Sequence, residues 1–241
     1  MLFRKTKTWR TPEGKSSGFA DTLTKQPHVL IAGATGSGKS VVINAMIHSV
    51  LFRAPCQAQL VLIDPKRVEL YQYHALPHTL AYASEPRDID HVLSYVIDLM
   101  ESRYRAMRAS GSRMFSGSDV YVFVDEFADL MTTNKRCSPM FCRIAQLGRA
   151  ARIHLILATQ RPTRDIITGQ IKVNMDSRVA LRCPSAQDSR NILGTSGAEL
   201  LPRYGQCFYT SPDLLQPQLR EVTMIPEAEL NRLCAWWMKQ K

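Results

Sequence analysis

A glycine-rich stretch at residues 33–40 is the part of this sequence best suited to chemistry. Its letters, GATGSGKS, fit G-x-x-x-x-G-K-[ST] in full, between an apolar run and a helical pattern. Glycines let main-chain amides approach phosphate oxygens, and the helix amino terminus favours an anion. Lys39 supplies charge to the outer phosphates, and Ser40 supplies a hydroxyl to Mg²⁺. We expect ATP and Mg²⁺ to be held here, by Gly33, Ala34, Thr35, Gly36, Ser37, Gly38, Lys39 and Ser40.

Two adjacent carboxylates, Asp125 and Glu126, end a second apolar run, VFVDE at 122–126. Asp125 at the strand tip can complete the magnesium shell, and Glu126 can polarise a water for attack on the γ-phosphate. An acidic pair that caps a helix after a strand is the plainer alternative. The accompanying phosphate loop favours the catalytic interpretation, with Ser40 and Asp125 as the metal ligands.

A third apolar run, at 154–159, also ends in polar groups. In nucleotide hydrolases with a catalytic glutamate, such a strand lies between the phosphate-loop strand and the acidic strand, and its tip reaches the γ-phosphate. Gln160 is therefore the candidate sensor and Thr159 the second candidate. An ordinary strand end remains the alternative.

The elements that would position these groups form an alternating pattern of short apolar runs and helical stretches. Strands apolar on both faces and alternating with helices predict an α/β fold with a parallel sheet covered by helices. The segments 110–119 and 163–177 are predicted as long loops. Strands are predicted at 28–33, 59–64, 121–126, 154–159, 178–183 and 206–210, and helices at 40–52, 88–108, 140–151 and 227–238.

Composition narrows the class of protein. The 241 residues are 45% apolar, without an apolar run of the ~18 residues that a membrane span needs. The six cysteines show no metal spacing, so we expect reduced thiols and a cytoplasmic location. A net charge of +10 favours a polyanionic partner. Residues 1–27 are predicted to be a basic arm, a short hairpin or the remnant of a small subdomain, and 28–241 to be one domain.

Five motifs together carry a resemblance to a known family. They are LIDPKRVEL at 62–70, VDEFADL at 124–130, ATQRP at 158–162, DIITG at 165–169 and DSR at 188–190. From about residue 28 onward the chain resembles the motor domain of the FtsK/SpoIIIE DNA translocases. This resemblance implies a RecA-like P-loop core, with mostly parallel strands and helices on both faces. It also implies a homo-oligomeric ring around double-stranded DNA, expected to be a hexamer.

The resemblance further implies that a neighbouring subunit completes the ATP site with an arginine finger. Matched on QLGRAARIH at 146–154, the finger is Arg149. Arg152 stands where the family usually has glycine and is a competing candidate. The segment Pro65-Lys66-Arg67 is expected to touch nucleotide or the next subunit, with the interface favoured.

DNA contacts carried over from the family fall on Arg161, Lys172 and Arg190. Such residues grip phosphates and carry no sequence information, although any one of them could be a solvated surface charge. Ala186 replaces a lysine often found in the family. Five arginines and no acid lie between 143 and 164, which agrees with a phosphate-gripping surface: Arg143, Arg149, Arg152, Arg161 and Arg164.

The function expected from these residues is an ATPase that moves along double-stranded DNA. Three alternatives stay open. A protein-secretion motor of the same superfamily would leave the +10 charge without an obvious purpose. A DNA-binding ring that uses ATP only for assembly would not need both Asp125 and Glu126. A conjugation coupling protein would use a similar mechanism with a membrane anchor.

Overall fold

A single twisted sheet organises the protein in the computed structural model, which describes residues 9–10, 16–17 and 26–240. Its strands, in spatial order, are β2-β1-β10-β9-β8-β3-β7-β6-β4-β5. The six from β8 to β5 are parallel, and the remaining four pair antiparallel. The strands span Trp9–Arg10 (β1), Ser16–Ser17 (β2), His28–Ala32 (β3), Ala58–Ile63 (β4), Thr79–Ala83 (β5), Asp119–Val124 (β6), Ile153–Thr159 (β7), Ser177–Ala180 (β8), Gln206–Thr210 (β9) and Gln218–Val222 (β10).

Seven α-helices connect or cover these strands in the described part of the chain. Two short 3₁₀ turns, Tyr71–Tyr73 and Ala198–Leu200, complete the pattern. The helices span Lys39–Val50 (α1), Pro86–Ser110 (α2), Phe127–Thr133 (α3), Cys137–Leu147 (α4), Gly169–Asn174 (α5), Ala186–Leu193 (α6) and Glu227–Met238 (α7).

The central parallel strands β3, β4, β6 and β7 are buried on both faces, because helices pack on each side of the sheet. Alternate residues of β3 show the principle: Val29 and Ile31 face the core under α1 and α7, whereas Leu30 faces the core under α2 and α4. Apolar residues at every strand position therefore stabilise the fold. The fold predicted from the sequence, a mostly parallel sheet with helices on both faces, is confirmed.

The helix that closes the chain packs as its apolar stripe predicts. Leu230, Leu233 and Cys234 are buried, and partly buried Trp237 joins the same core. The Trp237 Nε1 donates a hydrogen bond to the Leu51 carbonyl at 2.8 Å. This bond ties α7 to the end of α1, the helix that follows the phosphate loop.

Several element boundaries differ from those predicted. The stretch 163–177 is not a continuous loop, since it contains α5, whose Thr168 hydroxyl accepts a hydrogen bond from the Ile171 amide. The predicted helix 140–151 ends at Leu147, because the chain turns at Gly148 and Arg152 to enter β7. The predicted strand 178–183 ends at Ala180. Of the predicted arm 1–27, only residues 9–10, 16–17 and 26–27 lie within the described part.

Candidate active site

Three neighbouring strands bring the predicted catalytic groups to one edge of the sheet. The phosphate loop follows β3, Gln160 follows β7, and Asp125 and Glu126 follow β6. These strands are adjacent and parallel, so their carboxyl ends lie at the same edge. The prediction that strand 154–159 lies between the other two is confirmed. Such an edge is where ligands bind in open α/β sheets.

The phosphate loop has its shape because glycines occupy two demanding positions. A side chain at Gly33 would come within 2.6 Å of Ser37 Oγ and 2.7 Å of Leu181 Cβ. Gly38 has a φ of +98°, a conformation that other residues adopt only at a cost. Directly after it, α1 begins, and the amides of its first turn lack intrahelical acceptors. The loop can therefore cradle an anion.

Lys39 lies buried beside both acidic residues. Its Nζ atom is 2.5 Å from Asp125 Oδ1 and 3.8 Å from Glu126 Oε2. All three side chains are at most 6% exposed, so their charges act through little intervening water. A bound polyphosphate would compete with these carboxylates for the ammonium group.

Glu126 is held in place by groups from two other strands. Its Oε1 accepts hydrogen bonds from Thr159 Oγ1 at 3.1 Å and from the Gln160 amide at 3.0 Å. Its Oε2 accepts one from Lys66 Nζ at 3.2 Å. Burial alone would raise the pKa of Glu126, but the Gln160 amide, Lys39 and Lys66 together lower it below the ordinary value. The carboxylate is thus ionised at neutral pH, as a general base must be.

Gln160 contacts the phosphate loop directly. Thr35 Oγ1 donates a hydrogen bond to Gln160 Oε1 at 2.6 Å. Thr159, the other candidate sensor, is buried and turned towards Glu126. Gln160 is therefore the better placed of the two to meet a phosphate bound in the loop.

The oxygen atoms near Ser40 suit a magnesium ion that is shared with a nucleotide. Ser40 Oγ donates a hydrogen bond to Glu69 Oε1 at 2.6 Å, and the Asp125 carboxylate accepts one from Lys39, the residue before Ser40. Mg²⁺ usually takes one or two carboxylates together with phosphates and waters. In the described part of the chain, no cluster of three or more His, Cys, Asp and Glu residues forms a separate metal cage. Ser40 and Asp125 fit the predicted role.

Lys66 enters the site from β4, the next strand along. Its Nζ lies 3.2 Å from Glu126 Oε2 and 3.5 Å from Asp129 Oδ2. Partial burial would lower the pKa of Lys66, but these two carboxylates outweigh burial and raise it. Arg67 instead pairs with Glu85 at the surface. The sequence motif that contains Lys66 and Glu69 was visible, but neither residue was predicted to touch catalytic groups of its own chain.

Arg149 and Arg152 lie at the opposite edge of the sheet, before β7 begins. The seven residues of β7 separate that edge from Gln160 by roughly 20 Å at the usual rise per residue. Arg152 is bound to Asp119, with Nε–Oδ1 2.7 Å and Nη2–Oδ2 2.9 Å. The Arg149 side chain is exposed and has no ion-pair partner among the described residues. Of the two candidates, Arg149 is the one free to reach another molecule.

Asp119 organises this second edge. It also accepts hydrogen bonds from Arg53 Nη1 at 2.6 Å and from His154 Nε2 at 3.1 Å. Burial would raise its pKa, but the bonds from His154, Arg152 and Arg53 hold it far below the ordinary value. A cavity of about 530 Å³ lies alongside, lined in part by Asp119, Arg152, His154 and Arg149.

The three predicted DNA contacts follow β7 and β8. Arg161 and Arg190 are exposed, and Lys172 is half-buried on α5. Arg178 connects the two helices that carry Lys172 and Arg190. Its Nη2 donates a hydrogen bond to the Lys172 carbonyl of α5 at 2.8 Å, and its Nη1 donates one to the Ile192 carbonyl of α6 at 3.2 Å. Burial lowers the pKa of Lys172, and the nearby charges of Arg178 and Arg164 lower it further. Three positively charged side chains therefore lie close together here.

Comparison with known proteins identifies the family. The model of the FtsK/SpoIIIE family matches residues 10–121 and 116–164. The chain belongs to this family. A DNA translocase FtsK from Oceanobacillus iheyensis is 39% identical over 91% of this chain, and one from Pseudomonas aeruginosa is 38% identical over 89%. The chain spans 31% of the length of each relative.

Solved structures share the fold of this FtsK/SpoIIIE member. The conjugation coupling protein TcpA of pCW3, in its monomer form with ATPγS, has a TM-score of 0.80 at 23% identity and covers 97% of this chain and 71% of TcpA. EssC (ATPases 2 and 3) from Geobacillus thermodenitrificans has a TM-score of 0.81 at 15% identity. The match covers 99% of this chain and 49% of the EssC chain. At these identities the likeness concerns the fold alone. No helix in the described residues has the length and apolarity to cross a membrane.

Proposed function

We propose that this chain is the ATP-hydrolysing motor of a ring that moves along double-stranded DNA. The observation that carries the proposal is the shared sheet edge, where the phosphate loop, Gln160, Asp125 and Glu126 come together in a member of a family whose relatives are named DNA translocases. The +10 charge of the chain suits a polyanionic track.

Hydrolysis begins with MgATP in the phosphate loop. Lys39 leaves its carboxylate partners for the phosphates. Ser40 and Asp125 would hold the magnesium ion, which would supply positive charge to the phosphates. Glu126 accepts a proton from a water aligned with the γ-phosphate, while Gln160 contacts the phosphate that is lost. The ionised state of Glu126 supports this role.

Arg149 of an adjacent subunit completes the site. Arg149 cannot reach the phosphate loop of its own chain, because the full length of β7 lies between them. An arginine supplied by a neighbour stabilises the charge of the transition state and can raise the rate by ~10³–10⁵. A head-to-tail ring of subunits, which we take to be a hexamer, places one edge against the other.

Arg161, Lys172 and Arg190 grip the phosphate backbone in the pore of this ring. Arg161 directly follows Gln160, so a change at the γ-phosphate moves a DNA-contacting residue by way of one peptide bond. A cytoplasmic location belongs to the same proposal, because all six cysteines are free thiols and five of them are buried.

The test is the rate of ATP hydrolysis with and without duplex DNA at two salt concentrations. We expect stimulation by DNA that weakens steeply as salt rises, because phosphate contacts release counterions. Glu126→Gln should keep nucleotide binding and lose hydrolysis, since the amide retains the size of the carboxylate and cannot take a proton. Full hydrolysis by Glu126→Gln would overturn the assignment of the base.

Each alternative function predicts a different outcome. Activation by a peptide in place of DNA would identify a protein-secretion motor. Near-zero turnover with saturating DNA would identify a ring that uses ATP only to assemble. Transfer of DNA that requires a membrane-anchored partner would identify a conjugation coupling protein.

A further inference from the structure

An arginine from a distant part of the chain lies against the phosphate loop. Arg203 follows the 3₁₀ turn Ala198–Leu200, and its guanidinium covers Gly36. A Cβ atom built on Gly36 would lie 3.1 Å from Arg203 Nη2, 3.7 Å from Nε and 3.8 Å from Cζ. The guanidinium group thus lies close to Gly36, in the middle of the loop, on the side where a side chain at that position would project.

The environment of Arg203 leaves its charge available. It forms no ion pair with a carboxylate within the described residues. Its Cζ atom lies 5.3 Å from the centre of the Tyr204 ring, an attractive contact that does not neutralise the charge. The side chain is exposed. A guanidinium that is this close to an anion-binding loop and lacks an acidic partner is suited to a phosphate oxygen.

The direction of approach separates Arg203 from the hydrolytic groups. Glu126 and Gln160 reach the loop from β6 and β7, on one side of β3. Arg203 comes from the chain after β8, the neighbour of β3 on the other side. Contact with Thr35 marks the Gln160 side of the loop, and contact with Gly36 marks the Arg203 side.

We propose that Arg203 is a further nucleotide-binding residue, which donates to a phosphate that is not transferred. This inference rests on the proposed function of the loop and adds a ligand from the same subunit, distinct from Arg149 of the neighbour. Because such a phosphate is present in both ATP and ADP, Arg203 strengthens the binding of both and contributes little to the chemical step.

The test is calorimetric binding of ADP and of a non-hydrolysable ATP analogue, with ATPase kinetics beside it. Arg203→Ala is expected to weaken both nucleotides about tenfold, the loss typical of one hydrogen bond to a charged group, and to raise KM with a smaller change in kcat. Arg203→Lys should recover part of the affinity. Arg108→Ala, at an exposed arginine at the end of α2, is the matched control and should bind like the wild type.

Lys39→Ala separates this inference from the function on which it rests. If Lys39→Ala abolishes binding and Arg203→Ala matches the wild type, the role of Arg203 is wrong and the nucleotide site stands. If the wild type binds neither nucleotide, the proposed function itself fails. A loss confined to kcat in Arg203→Ala would also contradict the inference, because it would indicate a contact to the transferred phosphate.

Discussion

The geometry of Glu126 combines backbone strain with close support. Its φ of +54° and ψ of +61° place a non-glycine residue in the left-handed region, at a cost on the order of 1–3 kcal/mol. Hydrogen bonds from Thr159, Gln160 and Lys66 fix the position of the carboxylate group at the end of the Glu126 side chain. The strained backbone conformation directs the Glu126 side chain to a buried position near Lys39, and the hydrogen bonds keep it there before any substrate binds.

Lys66 should tune the base. Replacement by Met removes one of the charges that lower the pKa of Glu126, so the pKa rises. In the wild type, the lowered pKa of Glu126 should place the acid decline of kcat below the pH range in which an ordinary glutamate titrates. Lys66→Met should move that decline to higher pH, as measured by the pH profile of DNA-stimulated hydrolysis. Lys66→Arg, which keeps the charge, is the control, and an unshifted profile in Lys66→Met would contradict the prediction.

Arg152 carries a second strained backbone, with a φ of +55°. Arg152→Ala and Arg152→Gly both remove the pair with Asp119, but only glycine relieves the left-handed conformation. Arg152→Gly should therefore be more stable than Arg152→Ala by about 1 kcal/mol in urea unfolding. Equal stability of the two variants would show that the ion pair is the only contribution of this residue.

The residues predicted from the sequence are those with a fixed spacing. The phosphate loop, Asp125, Glu126 and Gln160 stand next to strand ends, and parallel strands bring such ends together. Arg203 could not be predicted, because its contact with Gly36 depends on a surface loop more than 160 positions away in the chain. The role of Asp119 was equally hard to predict, since its partners Arg53, Arg152 and His154 come from two segments that are distant from it in the sequence.

At the scale of elements, the sequence predicted the interior of the sheet and missed its margins. The six strands β3, β4, β6, β7, β8 and β9 were all predicted, because burial of one or both faces gives them an apolar or alternating composition. The strands β5 and β10 were not predicted. Most of their residues, TLAYA and QLREV, are half-buried or exposed, so they do not form a continuous apolar run. The helices α3 and α6 are seven and eight residues long, too short for a convincing helical period.

Strand β3 carries a buried histidine that should make stability depend on pH. His28 Nδ1 accepts a hydrogen bond from the Leu155 amide at 3.0 Å. Burial, aided by the charges of His154 and Arg149, lowers the pKa of His28 to about 3. Between pH values of about 3 and about 6.5, the His28 imidazole binds a proton in the unfolded chain and stays neutral in the folded chain. The free energy of unfolding should therefore fall with falling pH across this window, by up to about 1.4 kcal/mol per pH unit.

His28→Asn tests this origin of the pH dependence. The asparagine side-chain oxygen can replace Nδ1 as an acceptor, and it does not titrate. Urea unfolding between pH 4 and 7 should show a shallower slope for His28→Asn than for the wild type. His74→Asn, at an exposed histidine, should keep the wild-type slope. Parallel slopes for all three proteins would contradict the prediction.

In the proposed ring, the two ends of each molecule's sheet carry complementary halves of one active site. One edge of the sheet holds the phosphate loop, Glu126 and Gln160, and the other holds Arg149, roughly 20 Å away along β7. Two different surfaces that must meet define a head-to-tail contact, which repeats around a ring. If the proposed role of Arg149 holds, each ATP site belongs to two chains, and we expect hydrolysis to require assembly.

Mixing two inactive variants tests this division of the site. Lys39→Ala removes the nucleotide half and keeps Arg149, whereas Arg149→Ala keeps the nucleotide half and lacks the finger. Each variant alone should hydrolyse ATP far more slowly than the wild type. In a 1:1 mixture with duplex DNA, roughly a quarter of the interfaces join two intact halves, so activity should return in part.

Mixing Arg149→Ala with the double variant Lys39→Ala/Arg149→Ala provides the control, since no interface in that mixture can be complete. Recovery in the first mixture alone requires that the arginine act across the subunit boundary; silence in both mixtures would contradict the proposed role of Arg149 as the finger of a neighbouring subunit.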